Sequence, residues 1–111
     1  MASPLGKAKA LNRLGEVLSL GSGTREARDS HAEALTIAWR IGVPLEEARA
    51  LEGIGKADLR EGSHNAGLEC LEQALTVYQS LGAPDAERVQ KILDQHATSP
   101  TQGNEPARSP G

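Results

Sequence analysis

Apolar residues recur every three or four positions along most of this chain, the spacing that places them on one face of an α-helix. The first such face is formed by Leu11, Leu14, Val17 and Leu18, and we expect all four to face a core. Glycines then interrupt the pattern, and Ser22 or Thr24 is the predicted N-cap of a second helix. That helix is predicted to end at Gly42 and Pro44; its apolar positions are Ala27, Ala34, Leu35, Ala38 and Ile41.

A second helix pair follows with the same plan. Its first helix is predicted to end at Gly62, Ser63 is the predicted N-cap of its second helix, and that helix stops at Gly82 and Pro84. The apolar positions of the pair are Ala50, Leu51, Ile54, Ala57 and Leu59, then Leu68, Leu71, Leu75, Tyr78 and Leu81.

A fifth helix is predicted from Asp85, its expected N-cap, to His96. Its one narrow apolar face consists of Ala86, Val89, Ile92 and Leu93. We therefore expect it to cover the last hairpin and to face water on its outer side.

The two helix pairs are copies of one unit. Displacing the sequence by about 40 residues places Ala10 on Ala50, Gly15 on Gly55, Gly42 on Gly82 and the run 34–36 on 74–76. The fold class expected is all-α: a short α-solenoid over residues 7–97. We expect repeats at about 7–46 and 47–84, a capping helix at 85–97, a flexible N-terminus at 1–6 and a disordered tail, rich in Pro, Ser and Gly, at 98–111.

The residue pattern of each unit resembles the tetratricopeptide repeat. The residues that carry the resemblance are Leu11-x-x-Leu14-Gly15-x-x-Leu18 with Ala27 and Ala34, then Leu51-x-x-Ile54-Gly55 with Gly67-x-x-x-Leu71 and Ala74. The resemblance implies that the small residues lie where two helices cross closely. His31 and Asp58 depart from the pattern, because apolar or aromatic residues are usual there, and we expect them to loosen the packing locally.

Residues 47–55 and 74–89 are also similar to the last repeats of large bacterial transcriptional regulators of the SARP, LuxR-like and NB-ARC types. This resemblance implies a C-terminal sensor or scaffold region. The DNA-binding and ATPase parts of those regulators have no counterpart in this sequence. The chain is then expected to be a stand-alone small protein or a truncated gene product.

Composition excludes several classes of function. The formal charge is −3 and no run of like charges occurs, so we expect no direct binding of nucleic acid and no membrane partner. No apolar segment approaches the ~20 residues that cross a bilayer. Cys70 is the only cysteine, which favours a reducing compartment and hence a cytoplasmic location. We expect its thiol to be buried and inert.

Nothing in the sequence indicates catalysis. His31, His64 and His96 share no ligand spacing, so no metal is expected. The run Gly21–Thr24 lacks the lysine and the preceding strand of a phosphate loop. No acidic pair or nucleophile motif occurs. We therefore expect no enzyme activity and no cofactor.

The expected function is that of a non-catalytic protein–protein interaction module. In tetratricopeptide folds the first helix of each hairpin lines a concave groove that holds a peptide. Carried over, the partner-binding residues are Lys9, Asn12, Arg13, Glu16, Arg49, Glu52, Lys56 and Arg60. Such a groove suits a peptide carboxylate or an acidic segment, although the same residues also fit a merely solvated face.

Two alternatives stay open at this point. The groove could receive a small peptide or metabolite signal, or the chain could be a gene remnant without independent function.

Two repeats also make a small solenoid. We therefore expect the open first hairpin to dimerise or to dock a partner near Leu11, Leu18 and Trp39.

Overall fold

The computed structural model describes residues 3–97, and these form five α-helices with no β-strand among them. The all-α class predicted from periodicity is confirmed. The helices are α1 (Pro4–Ser19), α2 (Thr24–Ile41), α3 (Pro44–Arg60), α4 (His64–Ser80) and α5 (Asp85–Ala97). Residues 1–2 and the tail predicted at 98–111 lie outside the described part.

The helices form two hairpins and a final helix. α1 packs on α2 and α3 packs on α4, while the hairpins meet mainly through α2 and α3. α5 packs on α4. This helical repeat arrangement follows the duplicated sequence. None of the described helices combines the length and the apolarity needed to cross a membrane.

The first residue of α1 and the N-cap of α2 differ from the sequence prediction. α1 begins at Pro4, inside the stretch expected to be flexible, because the Ser3 Oγ accepts a hydrogen bond from the Gly6 N–H at 2.9 Å. Gly23 is the N-cap of α2, so the expected caps Ser22 and Thr24 are wrong.

The remaining turns are close to the prediction. Ser63 occupies the N-cap position of α4 but makes no capping hydrogen bond, and Asp85 is the first helical residue of α5 rather than its cap. The turns after α2, α3 and α4 each contain a glycine with positive φ, at Gly42, Gly62 and Gly82. Glycine reaches this conformation without the Cβ clash of other residues.

The close helix crossing implied by the repeat is confirmed in the second hairpin. A Cβ placed on Gly55 would lie 2.8 Å from the carbonyl oxygen of Gly67, and a Cβ on Gly67 would lie 2.8 Å from the carbonyl oxygen of Gly55. Only glycine at both positions allows the backbones of α3 and α4 to approach this closely. Leu71 and Tyr78, both fully buried, fill the space beside the crossing.

His31 and Asp58, expected to loosen the packing, are instead buried and hydrogen-bonded. His31 is 3% exposed, and its Nδ1 lies 2.8 Å from the Oδ1 of Asn12. The Asp58 carboxylate accepts a 2.7 Å hydrogen bond from the Nε of Arg28, which ties α3 to α2. No fully buried side-chain nitrogen or oxygen atom between residues 3 and 97 lacks a hydrogen-bond partner. The prediction of loose packing was therefore wrong at both positions.

Three apolar positions predicted for the core are exposed. Leu14 and Val17 of α1 are 49% and 64% exposed, and Leu81 is 46% exposed at the end of α4. The residues equivalent to Leu14 and Val17 in the second hairpin, Ile54 and Ala57, are buried because α3 packs on α2 and α1. In the described part of the chain, α1 has no helix on the corresponding side.

Candidate functional site

A groove of about 870 Å³ runs along α1 and α3, with α2 at its floor and the start of α5 at one edge. The first helix of each hairpin therefore supplies most of its lining. All the residues that the repeat resemblance assigned to a binding surface border this groove, namely Lys9, Asn12, Arg13, Glu16, Arg49, Glu52, Lys56 and Arg60.

These residues differ in whether a ligand could reach them. Asn12 and Glu52 are only 2% and 5% exposed, and both side chains are occupied by internal hydrogen bonds. Asn12 and Glu52 therefore do not fit the solvated face that the sequence also allowed for these eight residues. They hold the groove together, whereas the other six have solvent-accessible side chains on its rim.

The Glu52 carboxylate is bound by three neighbours. Its Oε1 accepts hydrogen bonds from the Tyr78 hydroxyl at 2.9 Å and from the Arg88 Nη2 at 2.9 Å. Its Oε2 accepts from the Arg88 Nε at 2.8 Å, and the Lys56 Nζ lies 2.9 Å away. Burial opposes ionisation of Glu52, but Arg88, Lys56 and Tyr78 together lower its pKa to about 2. This carboxylate thus joins α3, α4 and α5.

A second polar network joins α1, α2 and α3. The Asn12 Nδ2 donates to the main-chain oxygen and to the Oε1 of Glu46, both at 3.1 Å. Its Oδ1 faces the Nδ1 of His31. The Arg49 Nη1 donates to the Oε2 of Glu46 at 2.7 Å. Burial lowers the pKa of His31, so its imidazole is neutral at pH 7.

The accessible rim of the groove carries mainly positive charge. The acids Glu46, Glu52 and Asp85 are each held in an ion pair by Arg49, Lys56 or Arg88. Glu16 is the remaining acid of the lining.

Three rim cations, Lys9, Arg13 and Arg60, have no ionic partner among residues 3–97. Lys9 and Arg13 are exposed and make no ion pair in that range, while Arg60 donates to the main-chain oxygen of Ser19. Guanidinium and ammonium groups in such positions can bind carboxylates.

Sequence reasoning missed several residues of the groove. His31 was expected to be a poorly packed substitution, and Arg88 was assigned only to a capping helix. Arg88 reaches Glu52 because α5 folds back toward α3, a relation that no local sequence pattern contains. The departure of His31 from the repeat pattern was the one available signal.

The thiol of Cys70 and the rings of His64 and His96 lie outside the groove lining. Cys70 is half-buried rather than fully buried, and burial raises the pKa of its thiol. The rings of His64 and His96, distant in sequence, are in edge contact with centroids 5.7 Å apart. Within residues 3–97 no three potential ligands cluster in a way that could hold a metal ion.

Comparison with known proteins gives one informative likeness. The chain is 36% identical over 66 residues to the regulatory protein AfsR of Streptomyces griseus. The matched segment is 59% of this chain but only 7% of that protein. No family model matches the chain, and no solved structure matches it. The chain is thus all-helical over its described residues and is similar, over part of its length, to a short part of a regulatory protein.

Proposed function

We propose that this chain is a non-catalytic, tetratricopeptide-like interaction module that binds an acidic peptide segment in the groove between α1 and α3. The observation that carries the proposal is the charge of the groove. Its buried acids are already paired, whereas Lys9 and Arg13 present free cationic groups on the rim. Carboxylates are the natural partners of such groups, and guanidinium can bind them through two hydrogen bonds.

The fold and the likeness to AfsR support the wider setting of this proposal. Tandem hairpins with glycine at a tight crossing are typical of peptide-binding helical repeats. The segment similar to AfsR suggests a sensor or scaffold region of a bacterial, cytoplasmic transcriptional regulator. In that setting the groove would bind another protein or another part of the same regulator, and DNA contact would be made elsewhere.

A small acidic metabolite is the second candidate ligand. The groove volume of about 870 Å³ lies within the range of small-molecule sites. Comparing succinate with a longer acidic peptide separates the two candidates. A peptide module binds the peptide much more tightly, because only the peptide reaches cations at both ends of the groove.

The test is fluorescence anisotropy with a fluorescein-labelled hexaglutamate peptide. Arg13→Glu and Arg60→Glu reverse one charge each on α1 and α3, and each is expected to weaken binding about tenfold or more. The matched control is Lys91→Glu, which makes the same charge change on the exposed surface of α5, outside the groove. An equal loss of affinity in the control, or no loss in either groove variant, would contradict the proposal.

A further inference from the structure

The floor of the groove contains a buried side chain with one unused polar atom. His31 is 97% removed from solvent, and its imidazole lies between Gly15 of α1 and Gly53 of α3. The Nδ1 is bonded to Asn12. The Nε2 has no hydrogen-bond partner among residues 3–97.

The unpaired nitrogen opens into the groove. In the described part of the chain no fully buried side-chain nitrogen or oxygen lacks a partner. Because the Nε2 has none, it must be in contact with solvent. His31 lines the groove, and the absence of side chains at Gly15 and Gly53 makes room for its ring between α1 and α3.

The protonation state of this nitrogen follows from its neighbours. The Asn12 Nδ2 donates both its hydrogen bonds to Glu46, so the Asn12 Oδ1 must accept from His31. The Nδ1 therefore carries the proton. Burial lowers the pKa of His31 and keeps the ring neutral at pH 7. The Nε2 then presents a lone pair, which is a hydrogen-bond acceptor.

From this geometry we propose that the Nε2 of His31 accepts a hydrogen bond from a main-chain N–H of the peptide bound in the groove. The inference rests on the proposed function and adds to it. The rim cations bind the carboxylates of the peptide, and the floor recognises its backbone. A carboxylate is not the partner of His31, because it would set lone pairs against a lone pair. Leu71, the equivalent residue of the second hairpin, cannot make this contact, so the recognition point is specific to the first hairpin.

The experiment combines a protein substitution with a peptide substitution. Hexaglutamate is compared with its fully N-methylated form, which keeps the carboxylates and lacks the N–H donors. Each is titrated into wild type, His31→Leu and His31→Gln. Leucine is the residue that the second hairpin uses at this position, and glutamine can place an amide oxygen near the Nε2. Far-UV circular dichroism establishes that each variant is folded.

The expected result is a coupled loss. His31→Leu should bind hexaglutamate about tenfold more weakly, whereas His31→Gln should remain within about threefold of wild type. N-methylation should cost wild type about tenfold more affinity than it costs His31→Leu, because the leucine variant has no acceptor to lose.

The outcomes separate this inference from the proposed function. If hexaglutamate binds, Arg13→Glu weakens it and His31→Leu does not, the inference is overturned and the proposed function stands. If hexaglutamate does not bind wild type at all, both fall. Imidazole ¹⁵N spectra give a second measurement on the free protein. A proton on the Nε2 instead of the Nδ1 at pH 7 would overturn the inference whatever the binding data show.

Discussion

The imidazole of His31 occupies the space that a side chain at Gly53 would need. A Cβ built on Gly53 would overlap the Cδ2 and Nε2 atoms of the ring, and a Cβ on Gly15 would overlap the same ring from the side of α1. A single side chain of α2 is therefore wedged between α1 and α3. The distance between the two hairpins depends on this wedge.

The first prediction concerns Gly53→Ala. In an ordinary helix interior this change stabilises a protein by roughly 0.5–1 kcal/mol. Here the added methyl group collides with the His31 ring, and we expect a net destabilisation of about 1–3 kcal/mol. Urea unfolding followed by circular dichroism measures the difference in the free energy of unfolding.

Two further variants control this prediction. Gly21→Ala should change the free energy of unfolding by less than about 0.5 kcal/mol, because no atom lies within 4 Å of the new Cβ. In a His31→Ala background, Gly53→Ala should lose most of its cost, since the colliding ring is gone. A cost that persists in that background would mean that the ring is not the obstacle.

The second prediction concerns Arg88 of α5, which donates hydrogen bonds to the carboxylate of Glu52. Arg88→Met removes two hydrogen bonds to Glu52 and one to Asp85. The buried carboxylate of Glu52 then keeps only Lys56 and Tyr78 as partners. Stranding a buried charge is costly, and we expect a loss of about 2–3 kcal/mol at pH 7. Lys91→Met, which removes an exposed cation of the same helix, should cost less than about 0.5 kcal/mol.

The pH dependence of this stabilisation has a definite sign. Because the folded-state pKa of Glu52 is lowered from 4.5 to about 2, its contribution is fully present above pH 4.5. It is lost as the pH falls from 4.5 toward 2. In Arg88→Met the folded-state pKa rises, so the decline over this range should be shallower. Parallel declines in wild type and variant would show that Glu52 is not the group responsible.

The third prediction is a separate pH effect from His31. Burial, with a further contribution from Lys56, lowers its pKa from 6.5, and Glu52 acts in the opposite direction. Because the unfolded chain binds the proton more readily, stability is full above pH 6.5 and declines as the pH falls from 6.5 toward the folded-state pKa.

This effect is measured by urea unfolding at pH 7.5 and at pH 5.5. His31→Gln removes the titrating group and serves as the control, because it retains His64 and His96. The decline in wild type should exceed that in His31→Gln. Equal declines would mean that His31 is protonated as easily in the folded chain as in the unfolded one.

The sequence predicted the helices, the duplicated hairpin and eight of the side chains that border the groove, because each depends on spacing within one helix. It did not predict the partners of Asn12, Glu52 and His31. Apart from Lys56, which lies one turn from Glu52 on α3, those partners lie on other helices, 19 to 36 residues away. Their contacts depend on the angle and depth at which the helices cross. The spacing of apolar positions alone gives the side of the helix on which a residue lies, but not whether a neighbouring helix buries it.

The fourth prediction uses this last distinction. Leu14 and Ile54 hold the same position in the two hairpins, yet Leu14 is 49% exposed and Ile54 is 6% exposed. Ile54→Ala should cost about 2–5 kcal/mol, because it leaves a cavity where α3 meets the first hairpin. Leu14→Ala should cost less than about 1 kcal/mol in a monomer, because most of its surface is already in water.

The same pair tests the self-association expected from the sequence at Leu11, Leu18 and Trp39. Leu11 and Leu18 are half-buried, and Trp39 is exposed. The most exposed apolar residues of α1 and the turn after it are Val17 and Leu20, which with Leu14 form the exposed apolar face of α1. If two copies pair through this face, the stability of wild type should rise with protein concentration, and light scattering should give twice the monomer mass. Leu14→Ala should then lower the free energy of unfolding several-fold more at high protein concentration than at low protein concentration. A monomer mass together with a concentration-independent cost would show that the face is not buried by a second copy, and the likeness of Leu14 to Ile54 would then reflect the ancestry of the repeat alone.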